Sequence, residues 1–123
     1  MIREQDPDLI KILGSILADL IKSGNTLLVA STDLSHFHPS DEARILDQTI
    51  IQHINALDPD GLYQAQEDGS GSACGLGPLA AVIWAAKKTG PVTCYHLNYD
   101  HSGTITGDNS SVVGYTSAVI TRK

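Results

Sequence analysis

Cysteine is almost missing from this sequence: its 123 residues include only Cys74 and Cys94. Two are too few for a disulfide framework, and neither sits in a Cys-x-x-Cys pair, so a structural zinc knuckle fails on ligand count. Aromatic residues are scarce at 5%, with one Phe and one Trp. Stacking platforms for nucleic-acid bases are thereby excluded. Positive charge is also short, with eight Lys+Arg against fourteen Asp+Glu and a net charge of −6. An acidic chain without a basic run is neither a dedicated nucleic-acid binder nor a partner for an anionic membrane surface. No apolar run approaches the ~20 residues that a membrane span needs. The opening MIREQDPDLI has charges before any apolar stretch and no small-residue cleavage site, so it does not read as a signal peptide. The expected location is the reducing cytoplasm.

What is present is ordinary globular composition, 41% hydrophobic and 18% charged, with an unusual eleven glycines. Leu9, Ile10, Leu13, Ile16, Leu17, Leu20 and Ile21 recur at three- and four-residue steps and predict a helix over 6–22. The run 26–31, Thr-Leu-Leu-Val-Ala-Ser, reads as a central strand covered on both faces. Ser40 is the expected cap of a second helix reaching about residue 57, and Asp58-Pro59-Asp60 opens a third that ends near Asp68. A glycine-rich loop over 69–77 precedes a buried helix ending at Lys88. Val92 to Tyr99 and Ser111 to Thr121 read as strands, joined by a polar loop. The long helical crossover between the first two strands favours parallel pairing. The fold class expected is α/β, a mixed, mostly parallel sheet flanked by helices, in one domain over 1–123.

The densest polar cluster, Asp33-x-x-His36-x-His38, follows the first expected strand, where open α/β sheets place their ligands. A carboxylate and an imidazole there suit a divalent metal or an acid/base pair. Cys74 lies among glycines just before a helix N-terminus, whose amides favour the thiolate that attacks or binds metal. Cys94 falls within a strand pattern and reads as core. His101 lies in a polar loop beside Asp108. Gly75-x-Gly77-x-x-Ala80 matches a dinucleotide fingerprint only on paper, because no strand precedes it and Pro78 interrupts it. Asp100-x-Ser102-x-Thr104 fails as a calcium loop, since Ile105 stands where glycine is needed.

Three segments then occur in order: Ser31-Thr32-Asp33-Leu34-Ser35-His36-Phe37-His38-Pro39, Ala73-Cys74-Gly75-Leu76-Gly77-Pro78, and Leu97-Asn98-Tyr99-Asp100-His101-Ser102-Gly103 with Gly107-Asp108 and Val112-Val113-Gly114-Tyr115. Together they resemble the Memo-like family, also called AmmeMemoRadiSam system protein B. The resemblance implies a fold similar to the class III extradiol ring-cleavage dioxygenases, of which this chain would be the C-terminal, incomplete part. It implies a site holding iron or copper, with Asp33, His36 and Cys74 as catalytic residues and metal ligands. Further family histidines lie N-terminal to the segments seen here, so the fragment alone is expected to be inactive. His38, His101 and Asp108 are the candidates for contact with substrate. The expected activity is metal-dependent redox or dioxygenase-like chemistry. The alternative is a non-catalytic peptide- or protein-binding module, and a cysteine hydrolase built on Cys74 is weaker. The expected partners are a second copy of the chain and a small-molecule or peptide ligand, with neither nucleic acid nor membrane.

Overall fold

A computed structural model describes residues 5–123. Helix α1 runs Pro7–Lys22. The Asp6 carboxylate caps it by accepting from the Asp8 and Leu9 amides at 3.0 and 3.1 Å, and Pro7 presets its first turn. Its buried seam is narrower than the apolar periodicity suggests. Ile10, Gly14 and Ala18 are buried, while Leu9, Ile16 and Leu20 stay about half exposed or more. The small residues decide this, because they let α1 lie close on α4, Leu76–Lys88. A Cβ on Gly14 would stand 2.9 Å from Trp84 Cβ and 3.0 Å from the Ala81 carbonyl.

The run 26–31 belongs to no helix or strand and joins no sheet, which corrects the expected central strand. The first strand is instead the short β1, His36–His38. Helix α2 follows over Ser40–Asn55. Pro39, not Ser40, holds its cap position, and no side chain caps it. Helix α3, Pro59–Asp68, starts from a genuine cap, Asp58, and stops at Gly69 in the left-handed conformation. After α4 come strand β2, Val92–His101, a single-turn helix α5, Gly103–Thr106, and strand β3, Val112–Arg122.

The sheet order is β1-β3-β2, and both pairings are antiparallel. The α/β class therefore holds, but the mostly parallel sheet does not. The crossover argument required the strand before the helices to enter the sheet, and residues 26–31 stay outside it. Strands β2 and β3, joined through α5, fold back on each other as a hairpin from Val92↔Arg122 to His101↔Gly114. Helix α2 packs on one sheet face, with α3 packed on α2 and α4 on α3. Leu34, Ile50, Ile51, Ile54, Leu62 and Ile83 form the core there, with Cys94, Tyr99 and Ile120 packing onto it from the sheet. Each fully buried side chain of this size contributes ~1.5–3 kcal/mol. The other face is bare: the register partners Tyr95 and Val119 are 53% and 41% exposed. Among the described residues no helix is long and apolar enough to cross a membrane.

Candidate metal centre

The loop from Thr32 to His36 is fixed from three sides. Leu34 is buried and anchors it in the core. The Leu34 amide donates to the Gly114 carbonyl at 2.9 Å, and the Gly114 amide donates back to Ser35 at 3.0 Å. The Ser35 amide donates to Asp47 Oδ1 at 2.8 Å. Asp47 is fully buried, and its second oxygen accepts the Tyr99 hydroxyl at 2.8 Å. Burial, and then the bond to Asp47, push the Tyr99 phenol above its ordinary range. A Cβ at position 114 would collide with the Asp47 carboxylate, so only glycine allows this approach.

The glycine-rich loop is latched to the same segment. The Cys74 amide donates to the Asp33 carbonyl at 3.1 Å, and the Asp33 amide donates to Cys74 Sγ at 3.3 Å. Thr32 Oγ1 accepts the Gly75 amide at 2.7 Å and donates to the Asp33 carbonyl at 2.8 Å. Gly75 is needed for closeness: a Cβ there would stand 2.8 Å from Thr32 Cβ and 2.9 Å from the Ser31 carbonyl.

These latches bring Asp33, His36 and Cys74 together, with one ligand atom from each lying within 4.8 Å of the others. His36 Nε2 is buried without a hydrogen-bond partner. It stands 3.6 Å from Asp33 Oδ2, too far for a hydrogen bond. An orphaned buried nitrogen is costly, and a cation facing it would remove that cost. A nitrogen, a thiol sulfur and a carboxylate suit a transition metal such as iron or copper better than calcium or magnesium. These residues fit such an ion.

The other candidates lie elsewhere. The register shifts between His36 and His38, and Phe37 between them takes φ +64° with an exposed ring. His38 consequently turns to α2, where its Nδ1 meets Glu42 Oε1 at 2.9 Å. His101 is buried and its Nδ1 lacks a partner. It is in register with Gly114, whereas His36 is in register with the neighbouring Val113. His101 is not among the clustered donors. Asp108 accepts from the Ser110 amide and hydroxyl, and these bonds hold its exposed carboxyl below the usual range. Cys94 is a half-buried core neighbour whose thiol is pushed up by burial. Asp47 and Thr32 escaped the sequence reading. The available signal for Asp47 was a charge on the apolar stripe Ala43, Asp47, Ile50 and Ile54 of α2.

A family model described as Memo-like protein matches residues 1–119. The chain belongs to the Memo-like family. A MEMO1 family protein of Methanosarcina barkeri is 37% identical over 118 residues, 94% of this chain and 44% of that protein. Similar proteins occur in Methanopyrus kandleri, at 43% over 89% of this chain and 40% of the relative, and in Sulfolobus acidocaldarius, at 39% over 95% and 42%. This Memo-like chain thus spans less than half the length of these relatives. Membership accounts for the order of the three segments that form the two latched loops and the hairpin. In this Memo-like chain the first two segments supply the clustered donors, and the third supplies Tyr99 and Gly114 that brace them.

Proposed function

We propose that this Memo-like chain contributes part of a metal-dependent redox or dioxygenase-like site, with His36, Cys74 and Asp33 holding iron or copper. The observation that carries this reading is the convergence of three different donor atoms within 4.8 Å, one of them a buried nitrogen without a partner. When bound, such a metal supplies Lewis acidity and one-electron chemistry. The chain's own residues do the positioning. The Asp33 amide and the Thr32 hydroxyl lie against the Cys74 sulfur and orient it. Asp47 pins the Ser35 amide, and so fixes the backbone between Asp33 and His36. Three protein donors leave coordination positions open for further ligands or a substrate.

The test is metal content by elemental analysis after loading with iron(II) or copper, in the chain and in its Cys74→Ala and His36→Ala variants. Near-stoichiometric metal in the chain is expected, with at least ~10-fold weaker binding in either variant, as loss of one ligand entails. Equal metal in all three proteins would overturn the proposal. A second reading, a non-catalytic module for a peptide or protein, is favoured by the bare sheet face carrying Tyr95, Tyr115 and Val119. Capture of a partner that persists when Asp33, His36 and Cys74 are all replaced by alanine would select it.

A further inference from the structure

Phe37 breaks two local rules at once. Its backbone takes φ +64°, the left-handed region that suits glycine or asparagine and strains a bulky side chain. The strand pairing demands that conformation. His36 and His38 are in register with Val113 and Val112, consecutive residues of β3, so Phe37 is an extra residue between them. The segment is held on both sides, by the Leu34–Gly114–Ser35 bonds before it and by the Ser40 amide on the Asn109 carbonyl after it, at 3.0 Å. The left-handed residue of such a bulge is ordinarily glycine. The backbone thus gains nothing from a phenylalanine here, and neither does the core, because the ring is 76% exposed. What the bulge achieves is the position of the ring. Its centroid lies 5.7 Å from that of the His36 imidazole, with the two planes 57° apart. That imidazole carries the buried, unpartnered Nε2 and belongs to the donor cluster with Asp33 and Cys74.

We infer that Phe37 is a specificity-determining residue: its ring receives the flat apolar body of a ligand whose coordinating atom binds at the donor cluster. The inference rests on the metal-site reading above and adds what that reading lacks, a group that selects among ligands. The residues that latch the donor loops, Thr32, Ser35, Gly75 and Gly114, are small or polar. They offer coordination and hydrogen bonds, which do not separate a ligand with an apolar body from one without. The phenyl ring does, because it attracts a second flat apolar group in offset or edge-on packing. The strain fits that task. A bulge locked from both sides presents the ring beside the donors before any ligand arrives, so little backbone freedom is lost on binding. An exposed ring in a strained backbone, next to a donor side chain, is what a contact residue requires and what a packing residue avoids.

The experiment uses the chain loaded with cobalt(II), which takes the same nitrogen, oxygen and sulfur ligands as iron(II) and reports its coordination sphere by visible absorption. Imidazole and phenylimidazole are titrated as probes into the parent and into Phe37→Ala, Phe37→Asn and Phe37→Tyr. The quantity read is the preference for phenylimidazole over imidazole, so the intrinsic difference between the probes cancels between proteins. That preference should fall ~5–10-fold in Phe37→Ala, the loss of one aromatic contact. Phe37→Asn suits the left-handed backbone and should show the same fall, which keeps the test intact should Phe37→Ala fold poorly. Phe37→Tyr keeps the ring and should hold the preference within ~2-fold. Cobalt affinity should change by less than the ~10-fold that loss of a ligand entails, since Phe37 donates none. An unchanged preference in the ringless variants overturns the inference and leaves the metal site standing. Loss of cobalt in those variants also overturns it, by making Phe37 a support of the site alone. A parent that binds no cobalt overturns the metal-site reading and this inference with it.

Discussion

Asp47 shows how one residue can organise a site it does not enter. It is a fully buried carboxylate with the Ser35 amide on one oxygen and the Tyr99 hydroxyl on the other. Tyr99→Phe removes one donor and leaves the phenyl ring in place, so the destabilisation expected is ~1–3 kcal/mol, the cost of an under-satisfied buried acceptor. Gly114→Ala should cost at least as much, because the new methyl displaces the carboxylate from both donors. Urea unfolding of the single and double variants checks this, and the two effects should fall short of additivity because they act on one carboxylate. Cys74 and His36 were visible in the sequence because their residue types carry metal chemistry. Asp47 was not, because its role depends on two backbone segments far away in sequence.

The elements are joined by local devices with their own signatures. At the α2–α3 corner, Asp58 accepts from the Gly61 amide at 3.0 Å and meets His53 Nδ1 at 3.1 Å. The Gly61 amide, with His53 adding to it, holds the Asp58 carboxyl below its ordinary value of 3.8 although burial opposes this. The folded-state value is the lower one. The contribution to stability is therefore complete above the unfolded value and is lost as pH falls through the folded one. Asp58→Asn should flatten the acid limb of the stability curve below about pH 4, measured by chemical unfolding at stepped pH. The limb should not vanish, because Asp68, Asp100 and Asp108 are lowered as well. Gly61→Ala should disrupt the corner more severely, since a methyl there would collide with both His53 and Asp58. The existence of α1 to α4 was legible, from periodicity and from Pro7, Asp58-Pro59 and Gly69, whereas the single turn α5 fell in what reads as a polar loop. The seam of α1 was misread because its leucines look like the core, whereas Gly14 and Ala18 allow the contact.

At the scale of the molecule, helix α2 packs on one sheet face, and apolar residues stand open elsewhere. Leu27, Val29 and Val119 border an open groove, and Ile12 and Ile16 stand exposed on α1. The folded chain should bind an apolar fluorescent dye, and Leu27→Thr with Val119→Thr should lower that fluorescence without lowering the melting temperature. An unchanged signal would place the open surface elsewhere. The sequence alone determined the four long helices, the two long strands and the residues with metal chemistry, because periodicity, caps and donor types are local properties. It also marked 26–31 as a strand, where the fold has none. Tertiary structure decided what pairs with what. It made the sheet antiparallel, left 26–31 unpaired, split His36 from His38 through the left-handed Phe37, and set a buried Asp47 behind the donor loop. Pairing depends on which edges find partners, and those partners are separated along the chain by helices that no local pattern can see across.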